Sequence, residues 1–162
     1  MYKKILVPLD GSELAECVIP HVETIAGASG VKEVTFIRVV EPAVLPTGVL
    51  TDGAAVFTEA NAEQLRRQID ERNEADSREY LDKIKDRVKI AGVDVKVVTL
   101  KGKPADEIAD YAEKSEADLI IIASHGRSGI SRWMHGSVAD RLLRTVCIPV
   151  MMIRAPGCVT GV

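Results

Sequence analysis

Asp118-Leu119-Ile120-Ile121-Ile122 runs directly into Ala123-Ser124-His125-Gly126-Arg127-Ser128-Gly129, and Gly136-Ser137 follows a short gap later. The first five residues read as a buried strand, because a short continuous apolar run suits a strand covered on both faces. Residues from Val138 to Thr145 read as a helix, with Leu142 and Leu143 among its apolar positions. A glycine-containing loop therefore leaves the carboxyl end of a strand and enters a helix at Gly136-Ser137. Such junctions suit anions: glycine lets the backbone approach closely, and first-turn N–H groups have no helical partner. Arg127 and the hydroxyls of Ser124, Ser128 and Ser137 add donors. The competing reading is a tight strand–loop–helix connection whose glycines serve turns only.

Working outward, Ile5-Leu6-Val7-Pro8-Leu9 is a second short apolar run. Asp10-Gly11-Ser12 turns the chain, with Ser12 placed to cap a helix starting near Glu13. Leu14, Ala15, Val18, Ile19, Val22, Ile25 and Ala26 hold helical spacing, and Pro20 is expected to bend that helix. Gly27 to Gly30 ends it. Strands are expected at Glu33 to Val40, Val93 to Leu100 and Ile148 to Ile153, the Val93 strand near an edge. Residues 41–55 read as a long loop and 56–91 as a charged helix whose stripe sharpens through Tyr80, Leu81, Ile84 and Val88. A shorter helix spans Ala105 to Ser115.

The order is then β-α-β-α-β-α-β-α-β, which argues a parallel sheet covered on both faces with right-handed crossovers. The elements alone leave the strand order open. If the first and fourth strands are neighbours, Asp10 and the Gly126 loop face one crevice. No internal repeat or linker divides the chain, so residues 1–154 read as a single domain and 155–162 as a flexible tail.

Bulk composition narrows the partners. With 21 Lys+Arg against 24 Asp+Glu, the net charge of −3 supplies no basic field for nucleic acid. No stretch is apolar enough for a signal peptide or a membrane span, which sets a cytoplasmic expectation. The three cysteines are unclustered and suggest neither zinc nor a redox pair; Cys17 and Cys147 read as packing residues and Cys158 as exposed.

Several nucleotide and hydrolase signatures are missing. There is no G-x-x-x-x-G-K-[ST], no G-x-G-x-x-G after the first strand and no G-x-S-x-G. A phosphorylated receiver domain needs clustered acids after the first strand, where only Asp10 stands. His125 has no identifiable partner carboxylate and reads as a loop anchor, and His135 with Ser137 is poor evidence for a nucleophile–base pair. His21 reads as a helix-surface residue and Trp133 as packing.

From Ala123 the loop is spaced Ala-x-x-Gly-x(9)-Gly-Ser. This resembles the nucleotide loop of the universal stress protein family in its ATP-binding branch, which has Gly where this chain has Ala123. The resemblance extends through Lys4 to Ser12, Arg38-Val39-Val40, Gly102-Lys103-Pro104 and Ile148-Pro149-Val150, covering Lys4 to about Arg154. It implies a Rossmann-like, adenine nucleotide alpha hydrolase-like α/β fold with five parallel strands in the order 3-2-1-4-5. It also implies ATP as the ligand, with Mg at the phosphates left open. Pro8, Leu9 and Asp10 would border the adenosine, Asp10 accepting from ribose hydroxyls; the alternative for Asp10 is a turn residue. Val39 would meet adenine through its backbone. Ala123, Ser124, His125, Gly126, Arg127 and Gly129 would wrap the ribose and phosphates, and Gly136, Ser137 and Val138 would present N–H groups and a hydroxyl to the phosphates.

Two functions follow. One is a stress-response regulatory protein holding ATP with slow or no hydrolysis, since no metal-binding acidic pair or general base is recognisable. The other is a nucleotide-independent interaction module on the same fold, which Ala123 favours. The apolar last strand, Val150-Met151-Met152-Ile153, would be a sheet edge in the family order, and the resemblance implies a homodimer there.

Overall fold

The computed structural model describes residues 2–45, 59–124 and 137–154. The segments 46–58, 125–136 and 155–162, and so the expected tail and most of the glycine loop, lie outside the described residues.

Five strands, β1 (Lys4–Pro8), β2 (Glu33–Val40), β3 (Asp94–Lys101), β4 (Leu119–Ser124) and β5 (Val150–Arg154), form one sheet in the order β3-β2-β1-β4-β5. Every pairing is parallel. The helices are α1 (Ile19–Ser29), α2 (Glu59–Arg87), α3 (Pro104–Lys114) and α4 (Ser137–Thr145). This is the fold expected from the resemblance. β1 and β4 are neighbours, with Ile5 opposite Leu119 and Leu6 opposite Ile120.

Strand side chains alternate between two cores, as a period of two requires. Ile5, Val7, Val34, Phe36, Leu119 and Ile121 pack with Val18 and Val22 at α1 and with Leu81 and Ile84 of α2. Leu6, Ile37, Ile120 and Ile122 pack on the opposite face with Ile108 and Ala112 of α3 and Ala139 and Leu142 of α4. So α1 and α2 cover one face and α3 and α4 the other. The winding reverses between β1 and β4, which is where such sheets open a crevice above the strand ends.

The pairings are pinned at the opposite end by Asp118. Its carboxylate accepts from the Lys3 N–H at 2.7 Å and the Lys4 N–H at 3.2 Å. Its own N–H donates to the Lys4 carbonyl at 3.0 Å.

Local details differ from expectation. The first helix is not one bent rod: a 3₁₀ turn at Ala15–Val18 precedes α1, and Pro20 stands in the first turn of α1. At that place the missing N–H has no helical partner to lose, so proline starts the helix rather than bending it. Ser12 Oγ accepts from the Ala15 N–H at 3.1 Å, but Ser12 is not the expected cap of a helix near Glu13: the 3₁₀ turn begins at Ala15, and Leu14 before it makes no side-chain capping bond. β5 begins at Val150 rather than Ile148, since Pro149 has no N–H for the ladder and contributes only its carbonyl, which accepts from Ile120 at 3.0 Å. α2 ends at Arg87, and the chain turns through Gly92 at φ 76 into β3. β3 is an edge strand, as its alternation suggested. Cys147 is exposed and is not a packing residue, while Cys17 is half-buried against the first core. Among the described residues no helix is long and apolar enough to cross a membrane.

Candidate functional site in the crevice above the β1 and β4 strand ends

A cleft of about 700 Å³ opens above the carboxyl ends of β1, β2 and β4. That volume lies in the range of small-molecule sites. Six of the residues singled out from the sequence line it: Pro8, Leu9, Asp10, Val39, Ala123 and Val138. Ser124 is the buried last residue of β4, and Ser137 opens α4. His125, Gly126, Arg127, Gly129 and Gly136 lie outside the described residues.

Each element delivers its residues for a local reason. Pro8 closes β1, yet the Leu9 N–H still donates to the Ile37 carbonyl at 2.9 Å. The ladder thus holds the chain one step past the strand, and Asp10 emerges at the rim. Asp10 Oδ1 accepts from both the N–H and the hydroxyl of Ser12, at 2.8 and 2.6 Å. This is an Asx-type turn, and Asp10 is one of the residues that line the cleft. Val39 is half-buried on the α3/α4 side, above Ile37. Ala123 ends the apolar part of β4 with only 7 % of its surface exposed. Its φ is not positive, since Glu116 is the non-glycine residue with φ above zero among those described. Its Cβ therefore carries no left-handed strain. Val138 and Ala139 bring the first turn of α4 to the same cleft.

The structure adds polar lining that sequence reasoning missed. Arg38, Glu41, Asn73 and Asp76 face the cleft. Asn73, Asp76 and Tyr80 recur at three- and four-residue spacing on α2, so one helical stripe overhangs the end of β2. Arg38 lies over the Tyr80 ring, its Cζ 5.3 Å from the centroid. Burial, then the nearby Glu16 and Asp10 carboxylates, push the Tyr80 hydroxyl well above its ordinary pKa, against a smaller opposing effect of Arg38. Tyr80 is therefore neutral at physiological pH, and it meets the cleft through Arg38 rather than lining it itself. The chain leaving β2 is tied to α2: the Ala43 N–H donates to Asp70 Oδ1 at 2.8 Å, and Lys101 Nζ donates to Asp70 Oδ2 at 2.6 Å. Those bonds hold Glu41 beside the cleft. Charge run and helical period identified α2 as a helix, but only the distance-spanning contact with β2 turns its polar face into cleft lining.

Among the described lining residues the cleft has three carboxylates, Asp10, Glu41 and Asp76, and one cation, Arg38. That end of the cleft suits a ligand part rich in hydrogen-bond donors, such as hydroxyls and amino groups. No group of three or more His, Cys, Asp or Glu that could hold a metal occurs among the described residues.

The family model described as the universal stress protein family matches residues 1–154. The chain belongs to the universal stress protein family. Universal stress protein MJ0531 of Methanocaldococcus jannaschii is 33 % identical over 156 residues, covering 96 % of this chain and 84 % of that protein. Universal stress protein YxiE of Bacillus subtilis is 27 % identical over 154 residues, covering 95 % of this chain and all of that one. Among solved structures, that of MJ0577 superposes with a TM-score of 0.76 at 26 % identity, covering 97 % of this chain and 99 % of that chain. The fold of UspA from Lactobacillus plantarum is also shared, with a TM-score of 0.74 at 23 % identity over 94 % of this chain and 98 % of the other. Within this universal stress protein the Ala123 position is thus a strand residue bordering the cleft, and the remainder of the family-type loop begins where the described part of β4 ends.

Proposed function

We propose that this universal stress protein binds ATP in the cleft as a regulatory ligand of a stress response, with hydrolysis slow or absent. The observation that carries the reading is the convergence of Pro8, Leu9, Asp10, Val39, Ala123 and Val138, from four separate elements, on one cleft at the point where the winding reverses. Asp10 accepts from the ribose hydroxyls and Val39 meets the base through its backbone. Ser124, His125, Gly126, Arg127, Gly129, Gly136 and Ser137 supply donors to the phosphates, helped by the amino end of α4. The residues present fit such a ligand: an apolar floor from Ile37, Ile122 and Val39 lies under acceptors at one end and the start of a helix at the other. Mg held at the phosphates would neutralise part of their charge.

Two fold relatives are described as complexes, a universal stress protein with cAMP and an Arabidopsis thaliana universal stress protein with AMP. At 21 % and 16 % identity they share the fold with this chain, and the case here rests on its own cleft.

The test is to denature freshly purified protein, identify any released nucleotide by chromatography and mass, and then titrate ATP by calorimetry. Near-stoichiometric ATP, lost in Gly126→Val while the variant still folds, supports the reading. No released nucleotide and no heat with ATP overturns it and leaves the nucleotide-independent interaction module, with Ala123 as its mark.

We further propose a homodimer through β5, whose Met151 is exposed on an edge strand. A monomer by light scattering at micromolar concentration would rule it out.

A further inference from the structure

Gly11 stands at φ +90, and a Cβ placed there would lie 2.9 Å from both Cζ and Nη2 of Arg38 and 3.2 Å from Nη1. Near-equal distances to three atoms of the guanidinium mean that its flat face lies against the Gly11 backbone. Arg38 also lies over the Tyr80 ring. The cation therefore lines the cleft from a place between a glycine turn and an aromatic plane. Its backbone is held in the β2 ladder, where Arg38 is opposite Thr99. Tyr80 is half-buried and packs against the core cluster that contains Leu81 and Ile84.

Glycine is the residue least able to hold a turn by itself, because it reaches positive and negative φ with similar ease. The Asp10-Gly11-Ser12 turn is exposed at Asp10 and Gly11. Within the turn Ser12 holds Asp10 Oδ1, but where the turn as a whole sits over the cleft depends on what it packs against, and the guanidinium plate is in contact with its glycine.

We infer that Arg38 is a positioning residue for the nucleotide: stacked on Tyr80, it braces the Asp10-Gly11-Ser12 turn so that Asp10 meets the ribose hydroxyls, and so sets the preference for ribose over 2′-deoxyribose. This rests on the ATP reading above and adds to it the residue that governs sugar selectivity. The chemistry is that of a charge-assisted hydrogen bond, whose strength depends on the carboxylate being held in line with the hydroxyl. A planar cation stacks on an aromatic ring where a lysine ammonium would not present a plate to Gly11.

The experiment is calorimetric titration of the full chain with ATP, 2′-deoxyATP and GTP. The wild type is expected to favour ATP over 2′-deoxyATP on the order of tenfold, the scale of one charged hydrogen bond. Arg38→Ala brings ATP and 2′-deoxyATP to within about threefold of each other, while the preference for ATP over GTP persists. Tyr80→Phe keeps the sugar preference and Tyr80→Leu loses it, which gives a second reading that leaves Arg38 in place. If Arg38→Ala keeps the sugar preference, or lowers the sugar and base preferences together, the inference is overturned. Equal binding of ATP and 2′-deoxyATP by the wild type also overturns it and leaves the nucleotide reading standing. Absence of binding to either overturns the nucleotide reading itself.

Discussion

Ala123→Gly restores the residue that the family loop pattern has at this position, and its outcome separates two views of the cleft. In the structure Ala123 lies in β4, opposite Ile153 of β5, and belongs to the core cluster that includes Ala15, Val18 and Ile121. Its methyl is a core atom bordering the cleft. Removing a buried methyl costs about 0.8 kcal/mol of transfer free energy. Glycine in a strand adds about 0.5–1 kcal/mol through greater freedom of the unfolded chain. Urea unfolding should therefore show a loss of roughly 1.5 kcal/mol, seen as a melting temperature lower by about 3–6 °C for a chain of this size. ATP affinity by calorimetry should stay within about fourfold of the wild type, the equivalent of one methyl contact. A variant of unchanged stability that binds ATP tenfold or more tightly would refute this reasoning. So would a wild type blind to ATP whose Ala123→Gly variant binds it. Either result would make the methyl an obstruction in the site rather than part of the core.

Two further outcomes follow from local geometry. Glu116 stands at φ 55 just past α3, where the Ala117 N–H donates to the Ala112 carbonyl at 2.9 Å and the Glu116 N–H to the Glu113 carbonyl at 3.1 Å. That is a Schellman closure, which glycine fills without steric cost. Glu116→Gly should relieve about 1–2 kcal/mol of left-handed strain against about 0.4–1 kcal/mol of added unfolded-state freedom. The exposed pair with Lys4 contributes little, so a modest rise in the urea midpoint is expected, and a fall would count against the strain account. At Asp70, the hydrogen bonds from Lys101 first and from the Ala43 N–H second hold the carboxyl below its ordinary pKa of 3.8. The sign follows from a depressed folded value: this contribution is present above the unfolded pKa and is lost as pH falls through the folded one. Stability measured in urea from pH 6 down to pH 2 should therefore differ between wild type and Asp70→Asn at the upper end and converge below about pH 4. A gap that is constant across the series would show that Asp70 acts by shape alone.

Much of this architecture was legible because it is local. Ile5 to Leu9 and Leu119 to Ile122 are too short for helices and too apolar for loops, and they are the two central strands that adjoin at the crevice. α2 was readable from its charge run and from Leu81, Ile84 and Val88 at helical spacing. Errors fell where two local signals compete. Pro20 can bend a helix or begin one, and which it does depends on whether the residues before it are helical; here a 3₁₀ turn precedes it. Ile148 looks like a strand residue, but hydrogen bonding to β4 starts only after Pro149. Cys147 sits in an apolar stretch and is nonetheless exposed, because burial there depends on what packs against the α4–β5 corner.

By itself the sequence determined the number and order of the elements, the parallel character of the sheet and the loop spacing that points to the family. These depend on contacts within a few residues, where side-chain period and backbone preference are decisive. The element pattern left open whether β1 lies against β4; the resemblance implied that it does, and the tertiary structure bears this out and places Asp10, Ala123 and Val138 in one cleft. It alone set Arg38 between Gly11 and Tyr80, residues separated from it by 27 and 42 positions respectively along the chain. Such meetings depend on strand order and on how far a long helix extends past the strand ends, which no local pattern encodes.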